Sequence, residues 1–143
     1  MNDRILERFS ASRRPESQIV SVVGQGEGDT DDLGFFGVLR GAGERAVMLE
    51  LRQRDGNIMA VGYAWLERIE LEASEGITLF TAHLEITLAG RNLNREVRQN
   101  VRLFESLTRH RVPWLREADT AEVMAAPEPA TVIESISWQA RTR

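Results

Sequence analysis

Val47-Met-Leu-Glu-Leu-Arg-Gln-Arg-Asp-Gly-Asn-Ile-Met-Ala-Val-Gly62 decides the fold. Val47, Leu49 and Leu51 alternate with Met48, Glu50 and Arg52, the every-second-residue rhythm of a strand with one face in a core. Asp55-Gly56 interrupts the alternation, and glycine there supplies the positive φ that a tight hairpin turn needs. Residues 58–63 then bring the chain back. Outward from this hairpin the rhythm persists. Over 67–72, Ile69 and Leu71 oppose Arg68, Glu70 and Glu72. Ser74-Glu75-Gly76 turns the chain, and 77–80 and 84–88 form another pair, with Leu84, Ile86 and Leu88 on one face. Upstream, 18–23 and 35–40 are further strand candidates. The pattern predicts an α+β, mainly β domain: an antiparallel meander forming a small barrel or a curved sheet.

After Gly90 the rhythm changes. Leu93, Val97, Val101, Phe104 and Leu107 recur at spacings of three and four and fall within about 100° on a helical wheel. Asn92 is placed to cap such a helix, and Pro113 stops it near His110. One long amphipathic helix is therefore expected after the meander, with Arg95, Arg98, Arg102, Glu105 and Arg109 on its outer face.

The organisation expected is a short helix and loop over 1–17, where Ile5, Leu6 and Phe9 share a face, then a meander-plus-helix domain over 18–117. An Ala-, Glu- and Pro-rich linker covers 118–130, and a last strand and tail fill 131–143. That strand sets Val132, Ile136 and Trp138 against Ile133, Ser135 and Ser137, and is expected to add to a sheet edge or to a neighbouring subunit.

A chain of 143 residues with 42% apolar and 28% charged side chains can bury a core without disulfides or metal. It has no cysteine, which removes thiol nucleophiles, disulfides and zinc ribbons. Its net charge of −4 disfavours a whole-surface nucleic-acid or anionic-membrane footprint. All 18 basic residues are arginine, the bland source of which is a GC-rich genome. No apolar run reaches the roughly 18 residues of a membrane span. Arg13-Arg14 is followed by too short and polar a stretch for an export signal. A cytoplasmic protein is expected.

Candidate chemistry is sparse. Gly24-Gln-Gly-Glu-Gly28 imitates a dinucleotide-binding turn, but Asp29, Asp31 and Asp32 follow where a helix N-terminus should receive phosphate. The same carboxylates lack the ligand spacing of a calcium loop. His83 and Glu85 lie two apart on a predicted strand beside Thr81 and Thr87. They are a starting point for a metal or general-base site, or simply a solvated sheet face. No nucleophile elbow, phosphate-binding loop or zinc-protease helix motif occurs.

The strongest charge signal is the arginine stripe. It includes Arg91, Arg95, Arg98, Arg102, Arg109, Arg111 and Arg116, with Glu96, Glu105 and Glu117 among them and Trp114 at its end. As binding residues the reading selects Arg95, Arg98, Arg102, Arg109 and Trp114. They fit an acidic protein partner, or phosphates with Trp114 stacking on a base, or a solvated face laced with ion pairs.

The Val47–Gly62 hairpin resembles the first hairpin of Sm-like RNA-binding proteins, which place an Asp-Gly turn between two bent strands of a small barrel. That resemblance covers little more than the hairpin and assigns no site residue. Tyr63-Ala-Trp-Leu66, Ile86-Thr-Leu-Ala-Gly-Arg-Asn-Leu93 and His110-Arg-Val-Pro-Trp-Leu-Arg-Glu-Ala-Asp119 are similar to uncharacterised bacterial domains of unknown function, which implies no activity. Strands followed by one helix also resemble the pleckstrin-homology-like barrel in architecture, and architecture does not fix function.

The sequence therefore predicts a non-enzymatic interaction module without cofactor or metal, self-associating as a dimer, using the arginine face or a sheet edge. The alternatives are a nucleic-acid-binding accessory protein on the same arginines and a small enzyme centred on His83. Trp138 and Phe9 motivate the dimer, because both stand on elements too weak to be stable alone.

Overall fold

The computed structural model of this protein describes residues 29–141. Its contacts divide the chain into Met1–Asp31 and Asp32–Arg143. The helix expected over 2–9, the strand over 18–23 and the glycine turn over 24–28 lie outside the described residues. A short strand, β1 (Thr30–Asp32), straddles the division; all that follows concerns the second unit.

There the elements run β2 (Gly37–Leu39), β3 (Met48–Arg52), β4 (Ile58–Gly62), a 3₁₀ turn (Tyr63–Trp65), β5 (Arg68–Glu72), β6 (Gly76–Phe80), β7 (Leu84–Arg91), β8 (Glu96–Arg98), β9 (Val101–Arg102), α1 (Leu103–Thr108), β10 (Trp114–Arg116), α2 (Thr120–Ala125) and β11 (Val132–Ala140). The quoted hairpin forms as its alternation requires. β3 and β4 pair antiparallel with Glu50 across from Ala60. Gly56 takes φ 98°, and the Gln53 N–H closes the turn on the Asn57 carbonyl at 2.8 Å.

The strands make two larger sheets, ordered β10-β3-β4 and β11-β7-β6-β5. Every pair in them is antiparallel except β10 with β3. Among the described residues no sheet closes into a barrel, because the chain leaves β4 through the 3₁₀ turn and begins a second sheet instead of continuing the first. One cluster of buried side chains draws on both sheets and on α1: Leu49, Leu51 and Val61 from one, Ile77, Leu79, Ile86, Leu88, Ile133 and Ile136 from the other, and Leu103 and Leu107 from the helix. Each such side chain contributes about 1.5–3 kcal/mol by leaving water.

The long helix expected over 93–109 is not there. Residues 96–102 instead form a β8–β9 hairpin with a register shift between Val101 and Arg102, and only the six residues of α1 are helical. The apolar spacing misleads because Leu93, Val97 and Val101 stand four apart, and four is a multiple of two as well as close to one helical turn. Local chemistry decides between them. Asn92 and Asn100 adopt φ 58° and 64°, the left-handed conformation that asparagine tolerates and a helix interior forbids. Val97 and Val101 are β-branched and favour strands. The end of the helix falls where expected: His110 turns left-handed at φ 58°, and the Arg111 N–H donates to the Ser106 carbonyl at 2.9 Å.

The stretch 118–130 carries α2, closed by a capping box in which the Asp119 side chain accepts from the Glu122 N–H and the Glu122 side chain accepts from the Asp119 N–H. β11 pairs with β7 along its length, with Trp138 across from Ile86. A register shift between Ile133 and Ser135 breaks its alternation, so Val132, Ile133 and Ile136 are all buried. The last strand thus joins its own sheet, and Trp138 packs on its own core.

Candidate functional site

The arginines that the sequence grouped on one helix face are divided by the hairpin. Arg98 ends β8, and Arg109 follows α1. Both line a shallow groove of about 190 Å³ whose other walls are β2 and Arg40, with Asn100, Val101 and Ser106 between them. The groove exists because β2 carries Leu39 onto the turn after α1: the Leu39 N–H donates to the Arg111 carbonyl at 2.9 Å. Arg111 also lines the groove, but its guanidinium is occupied. It donates to the carbonyls of Leu39, Gly41 and Glu44 at 2.6, 2.9 and 2.9 Å, fixing the 40–44 loop.

His110, between Arg109 and Arg111 in the chain, is tied to the core. The Tyr63 ring stacks on His110 with centroids 4.5 Å apart, and the Tyr63 hydroxyl donates to the Val112 carbonyl at 2.6 Å. Burial pushes the Tyr63 phenol well above its ordinary pKa, against the smaller opposing effect of that hydrogen bond, so the hydroxyl stays a neutral donor. The Ala46 N–H donates to the His110 carbonyl at 2.6 Å, and Arg45 reaches the Arg109 carbonyl at 3.2 Å.

Arg109 meets Glu105 at 3.4 Å, both side chains well exposed, a contact worth a few tenths of a kcal/mol. Arg40 and Arg98 are exposed. Asn100 is pinned by its N–H donating to the Glu96 carboxylate at 2.6 Å. The lining is therefore guanidinium, amide and hydroxyl, with the one carboxylate of Glu105, beside the apolar walls of Val38, Leu39 and Val101. Guanidinium groups stay protonated at any physiological pH, so the arginines keep their positive charge there.

The other predicted binding residues lie apart. Arg102 donates to the Asn94 carbonyl at 3.1 Å on its own hairpin. Arg95 borders a separate hollow with Gly76 and Gly90. Trp114 is on β10 across from Glu50, with the Arg52 guanidinium 4.9 Å above its ring. Sequence reasoning missed Arg40; its one signal was a charge directly after a short apolar strand. Two members of the stripe are structural. Arg91 meets Glu134 at 3.2 Å, and Arg116 holds Glu122 through two hydrogen bonds at 2.8 and 3.0 Å.

His83 does not share a strand with Glu85. It stands exposed in the turn before β7, where the Thr81 hydroxyl accepts from the His83 and Leu84 N–H groups at 3.1 and 2.9 Å. Turn geometry accounts for Thr81 without any chemistry. Among the described residues, no group of three or more His, Cys, Asp and Glu side chains is placed to hold a metal ion, and no helix is long and apolar enough to cross a membrane. No protein-family model, curated protein or solved structure matches this chain.

Proposed function

We propose that this protein is a non-enzymatic interaction module that grips an acidic segment of a partner protein in the groove between β2, the β8–β9 hairpin and α1. The observation that carries this reading is the convergence of Arg40, Arg98 and Arg109 from three separate elements on one groove with apolar walls. Those walls suit a peptide in which carboxylates alternate with apolar side chains. Nucleic acid is the weaker reading, because Trp114, the ring that would stack on a base, lies with Arg52 on the three-stranded sheet. The module acts as a homo-oligomer, since four of the five large apolar side chains it leaves in water (Val47, Met48, Ile58 and Trp65) lie on or beside the β3–β4 hairpin and not along this groove.

The test is fluorescence anisotropy with a labelled peptide of alternating Glu and Leu, titrated at several salt concentrations. Binding should weaken steeply between about 50 and 200 mM salt, and the double variant Arg98→Glu, Arg109→Glu should bind at least about tenfold more weakly with an unchanged circular dichroism spectrum. Absence of binding at low salt sinks the proposal. Tighter binding of a single-stranded oligonucleotide of equal charge, lost in the same variant, replaces it with the nucleic-acid reading.

A further inference from the structure

Every open sheet offers edges to a further strand, and proteins blunt them with charge, proline, bulges or a cover. In this molecule the edges differ. β5 carries Arg68, Glu70 and Glu72 exposed along it. The first half of β11 has outward backbone groups taken: the Ile136 N–H donates to Glu117 at 2.7 Å, the Ile136 carbonyl accepts from Gln53 at 2.7 Å, and the Glu134 carbonyl accepts from Arg54 at 3.2 Å. β10 is bridged at Leu115 by Phe36, and the Arg116 N–H donates to the Phe35 carbonyl at 2.9 Å. β4 has none of these. Ile58-Met-Ala-Val-Gly62 holds no charge and no proline, and among the described residues no strand pairs with its far side.

The backbone of β4 is oriented for pairing. The Gln53 N–H bonds the Asn57 carbonyl, and the Tyr63 N–H bonds the Val47 carbonyl. Inward hydrogen bonds therefore fall on odd-numbered residues of β4, and the N–H and C=O groups of Ile58, Ala60 and Gly62 point away from β3. Of the exposed large apolar residues, Met124 stands on α2, and the other four flank the β3–β4 hairpin, Ile58 at one end of β4 and the rest at the other. Val47, Met48, Ile58 and Trp65 are exposed by 69, 45, 59 and 73%. Trp65 leans over Gly62, where an added Cβ would come within 2.9 Å of the indole and 3.6 Å of the Met48 sulfur. An apolar patch on an uncharged open edge is a pairing surface.

We infer that β4 pairs antiparallel with β4 of a second copy about a two-fold axis through Ala60, joining the two three-stranded sheets into one continuous sheet. This inference rests on the reading of the protein as self-associating and names the surface. The occupant follows from complementarity. With Ala60 on the axis, each outward N–H of Ile58, Ala60 and Gly62 meets an outward C=O of the other copy. Ile58 of each copy comes opposite Gly62 of the other and against the indole of Trp65, a large side chain meeting the position without one. Half-buried Met59 meets Val61 on the core side. The smallest side chain available to a chiral residue sits where the two copies approach on the axis. A charged partner finds nothing along β4 to pair with, whereas a second copy of this apolar strand matches it throughout.

The experiment uses the full chain and sedimentation over a wide concentration range. The wild type should dimerise, and Ile58→Lys, at an exposed position, should weaken the dimer at least about tenfold. Ala60→Pro should do the same while leaving the fold intact, because the N–H it removes points away from β3. The chain has no cysteine, so Ala60→Cys is a clean probe of register. Antiparallel neighbours on the axis stand within disulfide reach, and oxidation should give a covalent dimer, while Ser137→Cys on β11 should not. A wild type that is monomeric at the highest concentrations overturns both this interface and the self-association reading. A dimer that Ile58→Lys leaves intact, and that Ala60→Cys fails to trap, overturns the interface alone.

Discussion

Arg116 and Arg109 are the same side chain put to opposite uses. Arg116 holds Glu122 through two nitrogens, donates through Nε to the Gly34 carbonyl at 2.7 Å and lies 4.5 Å over the Phe35 ring. Arg111, two residues beyond Arg109, is likewise consumed by three carbonyls. Arg109 has one loose contact with Glu105 and otherwise faces the groove. Positive charge in this protein is thus a scaffold wherever the backbone supplies acceptors. Where β2, α1 and the β8–β9 hairpin bring Arg40, Arg98 and Arg109 to one groove, it is the proposed binding feature. A count of arginines along the sequence cannot separate the two classes, because most of the acceptors, Gly34 for Arg116 and Leu39, Gly41 and Glu44 for Arg111, come from segments more than 60 residues away.

The comparison breaks most easily at Arg111. Replacing it with alanine should cost about 2–4 kcal/mol in urea unfolding, because three carbonyls lose a charged donor at once and the 40–44 loop loses its tie. Arg98→Ala, measured beside it, should stay within about 0.5 kcal/mol of wild type. Equal effects for the two would erase the distinction between scaffold and groove. A smaller loss, about 1 kcal/mol, is expected for Arg116→Ala, whose partner carboxylate is a third exposed and partly screened. The loss should be seen as lower protection of α2 amides from hydrogen exchange before any fall in the global midpoint.

How far the sequence could be read follows from how each segment satisfies its backbone. From 47 to 88 the hydrogen bonds run between chain neighbours, so alternation and turn chemistry suffice, and every strand expected there forms. Beyond Gly90 the apolar spacing fits two periods, and the asparagines at 92 and 100 were the signal against a helix. Asn92 is equally suited to cap a helix, which hides the signal at that position. The capping box of α2 was present as Asp119-Thr-Ala-Glu122 inside a stretch whose Ala and Pro content resembled a linker. Closure of the barrel depends on whether β4 finds a neighbour, which no local pattern encodes. Of the binding residues, Arg98 and Arg109 share a groove because both flank the β9–α1 segment. Arg95, Arg102 and Trp114 fall away because a hairpin turns its residues to different sides where a helix would have aligned them.

The mildest effect expected is also the one that isolates charge from shape. The Glu122 carboxyl is held down to about 2, first by the hydrogen bond from Arg116 and then by the Asp119 N–H, against a small opposing cost of burial. A depressed carboxyl pKa means that the unfolded chain takes up the proton first as pH falls. The pair therefore contributes in full above the ordinary carboxylate range of about 4.3, and the contribution fades as pH falls from there toward 2. Glu122→Gln keeps an oxygen that can accept the Asp119 N–H, so the capping box survives, while the charge on Arg116 is left unanswered. The variant should be less stable than wild type at neutral pH by a few tenths of a kcal/mol, the exposed pair being largely screened, and should show a correspondingly shallower fall between about pH 5 and 2. Identical acid limbs for the two proteins would mean that Arg116 is held by Gly34 and Phe35 alone, and that its likeness to Arg111 is one of hydrogen bonding without an ionic part.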